Sequence, residues 1–237
     1  VDRRRSGGEA ANNLFAQSLA QYEALDNVYG LATSHNLIAN GLFMQGQWRE
    51  SDDQYRQSLA LFTQMGDLYN QVFVNNNLGG SALKQGRLDE ALGYYQKAMR
   101  QLEQIGGSPF VIGALHMNLG NTRLQLREID LAMEELRRAL ESFEQAQARD
   151  FLPETYGYLA EASLVQDDLD AAEAHGKRSL ELAQELNMPR EEGHTLRILG
   201  EIALARAQFG DAHRFLTDSY NVLTIAGDDY ESAKTQL

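Results

Sequence analysis

Five histidines, His35, His116, His175, His194 and His213, are the side chains best able to hold a metal or move a proton at neutral pH. None forms an HExxH pair or a comparable ligand spacing, and there is no cysteine to supply a thiolate. "NLGG" at Asn77–Gly80 and "NLGN" at Asn118–Asn121 resemble phosphate-cradling loops, but they lack the GxGxxG and GxxxxGK[ST] spacings and fall within helical patterns. The acidic pair Asp167 and Asp168 falls in a turn, where solvation explains it. No nucleophile, base and orienting group can be assigned together, so no catalysis, metal or cofactor is expected.

One cluster has binding chemistry. Arg190, His194, Arg197 and Glu201 are spaced by four, three and four residues, which puts them on one helix face. Two guanidinium groups beside a histidine can receive a carboxylate or a phosphorylated residue. The simpler expectation is that Glu201 and neighbouring acids pair with them.

Composition narrows the partners. The 21 Lys+Arg against 34 Asp+Glu give a formal charge of −13, which repels phosphate backbones and anionic lipid surfaces. Nucleic-acid and membrane binding are therefore not expected. No apolar run approaches the ~20 residues of a membrane helix, and "VDRRRSGGEAANN" has no apolar signal core. The missing cysteines fit a cytoplasmic setting.

The elements that carry these residues repeat. "NLGGSALKQGRLDEALGYYQKA" at Asn77–Ala98 returns as "NLGNTRLQLREIDLAMEELRRA" at Asn118–Ala139. Gly46, Gly86, Arg127, Asp167 and Ala207 form one column, at spacings of 40, 41, 40 and 40. Seven residues earlier stand Ala39, Gly79, Gly120, Ala160 and Gly200; five residues later stand Ser51, Ala91, Ala132, Ala172 and Ala212. Each unit holds two apolar runs at helical spacing around a short turn, as in Val74, Leu78, Ala82 and then Leu88, Ala91, Tyr95, Ala98. Small residues such as Gly79 and Ala91 let two antiparallel helices approach closely. One hairpin cannot bury both faces, so the hairpins stack into an all-α solenoid.

Asn77, Leu78, Gly79, Ala82, Gly86, Leu88, Ala91, Tyr95 and Ala98 resemble the signature of the tetratricopeptide repeat, and five such units cover about residues 29–227. The expected divisions are 29–68, 69–109, 110–150, 151–189 and 190–227, with the second helix of a truncated repeat at 8–28 and the start of another at 228–237. The units exceed the common 34 residues, so helices of about 16 to 18 residues, ~25 Å long, are expected. Such long units resemble those of kinesin light chains, spindle-orientation adaptors, and the arms of bacterial signalling ATPases and transcription regulators. Gly176, where the pattern has an aromatic residue, and Arg127 and Asp167, where it has the turn glycine, are departures.

The resemblance implies a right-handed superhelix whose first helices line a concave wall. On that wall would lie Asn36, Asn40, Asn76, Asn77, Asn118 and Asn121, with Arg190, His194 and Arg197 further along. An amide both donates and accepts, which suits gripping the main chain of an extended peptide; alternatively, Asn77 and Asn118 only stabilise the repeat. His35 and His116 fall in a column usually aromatic, where packing accounts for them. The Lys and Asn set of the family's carboxylate clamp is absent, so a chaperone C-terminal peptide is not the expected ligand. The expected function is a non-catalytic module binding a peptide or protein segment, within a larger protein whose repeats continue past both ends; the alternative is an effector-sensing arm. Uncapped ends also allow a homo-oligomer.

Overall fold

The computed structural model describes residues 15, 17–227 and 235. It divides into two compact units, Val1–Gly107 and Ser108–Leu237. In the first, a helical stretch at residues 17–24 precedes α1 (Val28–Met44), α2 (Trp48–Gln64), α3 (Leu68–Lys84) and α4 (Leu88–Ile105). The second holds α5 (Pro109–Gln125), α6 (Ile129–Gln145), a 3-10 turn (Arg149–Phe151), α7 (Leu152–Val165), α8 (Leu169–Glu185), α9 (Pro189–Ala205) and α10 (Phe209–Ala226). Most helices have 17 residues; α7 has 14, because the 3-10 turn takes the place of its first turn ahead of Pro153. The tail 228–237, expected to start a further helix, lies outside the described residues except for Thr235.

Odd- and even-numbered helices pair as hairpins: α1 with α2 and α3 with α4 in the first unit, and α5 with α6, α7 with α8 and α9 with α10 in the second. Stacking comes from α2 on α3, and from α6 on α7 and α8 on α9.

Each turn is made the same way. Gly46, Gly86, Arg127, Asp167 and Ala207 all have φ between 57° and 75°. A second column, Asp26, Gly66, Gly106, Gln147, Asn187 and Gly227, is also left-handed. Around Gly46, the Gly46 N–H donates to Phe43 O and Gln47 N–H to Leu42 O, which satisfies two carbonyls at the end of α1. The same pair of bonds recurs after α6, where Gln147 donates to Glu144 O and Ala148 to Phe143 O. A left-handed residue about every twenty positions therefore reverses the chain.

Packing follows from the small columns. A Cβ at Gly79 would lie 2.6 Å from the Tyr95 ring, and one at Gly120 would lie 2.6 Å from Leu136. The missing methyl is where the partner helix inserts its large side chain. Around Gly176 the roles reverse: Ala160 faces it, and Leu199 of the next hairpin fills the space, 2.8 Å from where a Cβ would stand. The aromatic residue lost from that column is thus replaced in volume from a neighbouring helix.

Candidate functional site

In the first unit the asparagines form a small lattice. Asn77 Nδ2 on α3 donates to Asn36 Oδ1 and Asn40 Oδ1 on α1, at 3.3 Å each. Tyr55, rising from α2 and only 2% exposed, donates its hydroxyl to Asn40 Oδ1 at 2.6 Å. Burial pushes the Tyr55 hydroxyl up to about 12, so it stays protonated at neutral pH and must be the donor. Both lone pairs of Asn40 Oδ1 are then used, by Tyr55 and by Asn77. The spacing of 41 and 37 residues that joins Asn77 to Asn36 and Asn40 is the repeat period, plus one or less three. Asn76, beside it on α3, is half-buried and also engaged.

In the second unit a comparable chain runs through a tyrosine. Asn121 Nδ2 on α5 donates to Tyr158 Oη on α7 at 3.0 Å, and Tyr158 donates to Glu154 Oε1 at 2.7 Å. Gln125 Nε2 donates to Asn121 Oδ1 at 3.1 Å. Asn118 on α5 is half-buried and engaged. Tyr158 stands in the column of Asn77 and Asn118, so a phenol replaces an amide in reaching back to the preceding first helix.

The basic cluster separates on α9. Arg190 is exposed in the first turn; His194 is half-buried, its ring edge-on to Tyr158 with centroids 6.3 Å apart. Arg197 is paired with Glu201, and its side chain is 11% exposed. The glutamate therefore holds the guanidinium that an anionic ligand would need.

Tyr55 and Glu154 take part in these two networks without a signal in the sequence. Tyr55 stands in the large-residue column of the second helix with Tyr95, where packing accounts for a ring, and nothing in the sequence marks its hydroxyl as bonded. His35 and His116 share one role: His35 Nδ1 lies 2.8 Å from Gln54 Oε1, and His116 Nδ1 lies 2.6 Å from Glu135 Oε2, each joining a first helix to its second. Among the described residues no group of three His, Cys, Asp or Glu is placed to hold a metal ion. No described helix is long and apolar enough to cross a membrane.

Paired antiparallel helices stacked in series, with bonded first helices, define an α-solenoid of helix-turn-helix repeats. The model of the tetratricopeptide repeat matches residues 71–145 and 151–224, more than half of the chain, and the chain belongs to that family. BtubC (BKLC) from P. vanneervenii is similar in fold, with a TM-score of 0.77 at 20% identity over 94% of this chain and 93% of that one. The apo form of RapI gives 0.78 at 16% identity over 99% and 90%. A signal transduction ATPase with numerous domains and a tetratricopeptide repeat sensor, from Pyrococcus horikoshii, gives 0.79 at 17% identity; the match covers 98% of this chain and 36% of that chain. Comparison of the sequence with curated proteins gave no match.

Proposed function

We propose that this chain is a non-catalytic interaction module that binds a peptide or protein segment along its first helices. The observation that carries the reading is the lattice of Asn36, Asn40, Asn77 and Tyr55: it fixes amide groups in one orientation before any ligand arrives. Preorganised donors lose little entropy on binding, and an extended peptide has carbonyl acceptors along its length. Asn118 and Asn121 extend the same chemistry in the second unit, and Arg190, His194 and Arg197 give its last first helix a partly neutralised charge. Family membership supports a protein partner. Capture of partners on the immobilised chain, with Asn77→Ala/Asn118→Ala as control, tests the reading.

A second reading is an effector-sensing arm of a signalling ATPase or transcription regulator. It is supported by the likeness to the P. horikoshii ATPase, whose repeat region is called a sensor and of which this fold spans about a third. In that case the bound species is an effector, and the response is made by another domain.

A further inference from the structure

In the first unit, the helices that carry the asparagine lattice contain no acidic residue. α1 reads VYGLATSHNLIANGLFM and has no Asp, Glu, Lys or Arg; α3 has one charged side chain, Lys84. The chain has 34 acidic residues, and the second helix α2 alone has Glu50, Asp52 and Asp53. Charge has therefore been kept off this wall, while the hairpin partner is left charged.

Aromatic rings stand on the wall. Tyr29 and Tyr69 occupy the same repeat position, forty residues apart, in the first turns of α1 and α3, and are 54% and 59% exposed. Each ring is steadied at one edge: Tyr29 against Phe62, with centroids 5.9 Å apart, and Tyr69 against Phe73 at 4.9 Å. Met44, 83% exposed, ends α1. Tyr29 and Asn36, and likewise Tyr69 and Asn76, stand seven residues apart, about two helical turns, which puts each ring on the amide side of its helix, and the Asn77 bridge makes α1 and α3 neighbours. Rigid, half-seated aromatic side chains give contact area at low entropic cost, and amides satisfy a main chain without selecting charge.

We propose that the first-unit wall takes an uncharged peptide segment with apolar side chains, which seat on Tyr29 and Tyr69 while its main chain meets the asparagine lattice. The proposal rests on the peptide-binding reading above and assigns its partner class. An acidic segment would be repelled by the surrounding charge of −13, and a basic one would find no carboxylate within α1 or α3; the one at the N-cap of α3, Asp67, is held by the backbone and side-chain N–H groups of Asn70.

The test is selection of random twelve-residue peptides displayed on phage against the 237-residue chain, followed by affinity measurement of the selected peptides. The expected peptides are rich in Leu, Ile, Phe and Trp and poor in charge. Their Kd changes by less than about twofold between 50 and 500 mM NaCl, because no exposed ion pair is there to be screened. Tyr29→Ala/Tyr69→Ala weakens them at least about tenfold, whereas Tyr29→Phe/Tyr69→Phe retains binding with unchanged circular dichroism. Charge-rich peptides with steep salt dependence overturn the proposal, as does indifference to the alanine pair. Peptides weakened by Asn77→Ala/Asn118→Ala alone leave the binding module standing and remove only the apolar assignment. Indifference to both pairs removes both. Self-association of the chain that the alanine pair abolishes, with no peptide selected, assigns the wall to a second copy and overturns the proposal.

Discussion

Tyr55 donates its hydroxyl hydrogen to Asn40 Oδ1 across 2.6 Å, joining the core of a second helix to the first helix of its own hairpin. Tyr55→Phe keeps the ring and leaves Asn40 Oδ1 one bond short. A loss of about 1 kcal/mol in urea unfolding is expected, the usual net value of one such bond. Peptide affinity should fall as well, because Asn40 is then held by Asn77 alone; unchanged affinity would mean that the lattice does not position the site.

Gly79 and Gly93 give opposite signs for one substitution. Both are helical, and alanine alone favours a helix by about 1 kcal/mol over glycine. At Gly93 nothing lies within 4 Å of the new methyl, so Gly93→Ala should raise stability by up to about that amount. At Gly79 the methyl meets the Tyr95 ring at 2.6 Å, and Tyr95 is 1% exposed with no room to move. Gly79→Ala should cost about 1–3 kcal/mol in spite of its helix propensity. Thermal unfolding of the two variants side by side checks the packing.

The turn columns predict gains. Ala207 has φ of 57° and Arg127 has φ of 63°, a region that costs an L-residue about 1 kcal/mol. Ala207→Gly and Arg127→Gly should each stabilise by up to about 1 kcal/mol, less the added freedom of the unfolded chain. Gly86→Ala, at the same place in another repeat, should destabilise by a similar amount. Denaturant midpoints for the three variants measure the column.

Much of this fold was legible because repeats state each position several times. The column Gly46, Gly86, Arg127, Asp167, Ala207 marks one turn even though only two of its residues are glycine. The second turn column, Asp26 to Gly227, is not legible in the sequence: Asp26 and Asn187 share with glycine only a tolerance of positive φ, and Gln147 lacks even that. The site was less legible. Amides on first helices were visible, but the bridge from Asn77 to Asn36 and Asn40 depends on how one repeat rotates on the next. The pairing of Arg197 with Glu201 was foreseen because both lie on one helix, four residues apart.

His175 gives a pH dependence. Burial first, and then the Arg137 charge, hold its imidazole below the usual histidine value, with Asp168 opposing them. Ser163 Oγ stands 3.4 Å from its Nδ1, and the Tyr156 ring lies beside it. The folded value lies below the unfolded one, so above about pH 6.5 both states are neutral and the group has no effect. As pH falls below that value the unfolded chain takes up the proton first, and stability is lost. His175→Gln should therefore lose less melting temperature than the parent between pH 7 and pH 5. An identical slope in both proteins would contradict this.

The most direct test of the central claim is the affinity of a captured partner or selected peptide for the parent chain and for Asn77→Ala/Asn118→Ala, measured by titration calorimetry. Amide groups that grip the main chain predict a loss of about tenfold or more, near 1.4 kcal/mol, with helical circular dichroism unchanged. Equal affinity in the two proteins would contradict the account, and would leave these asparagines a structural role alone.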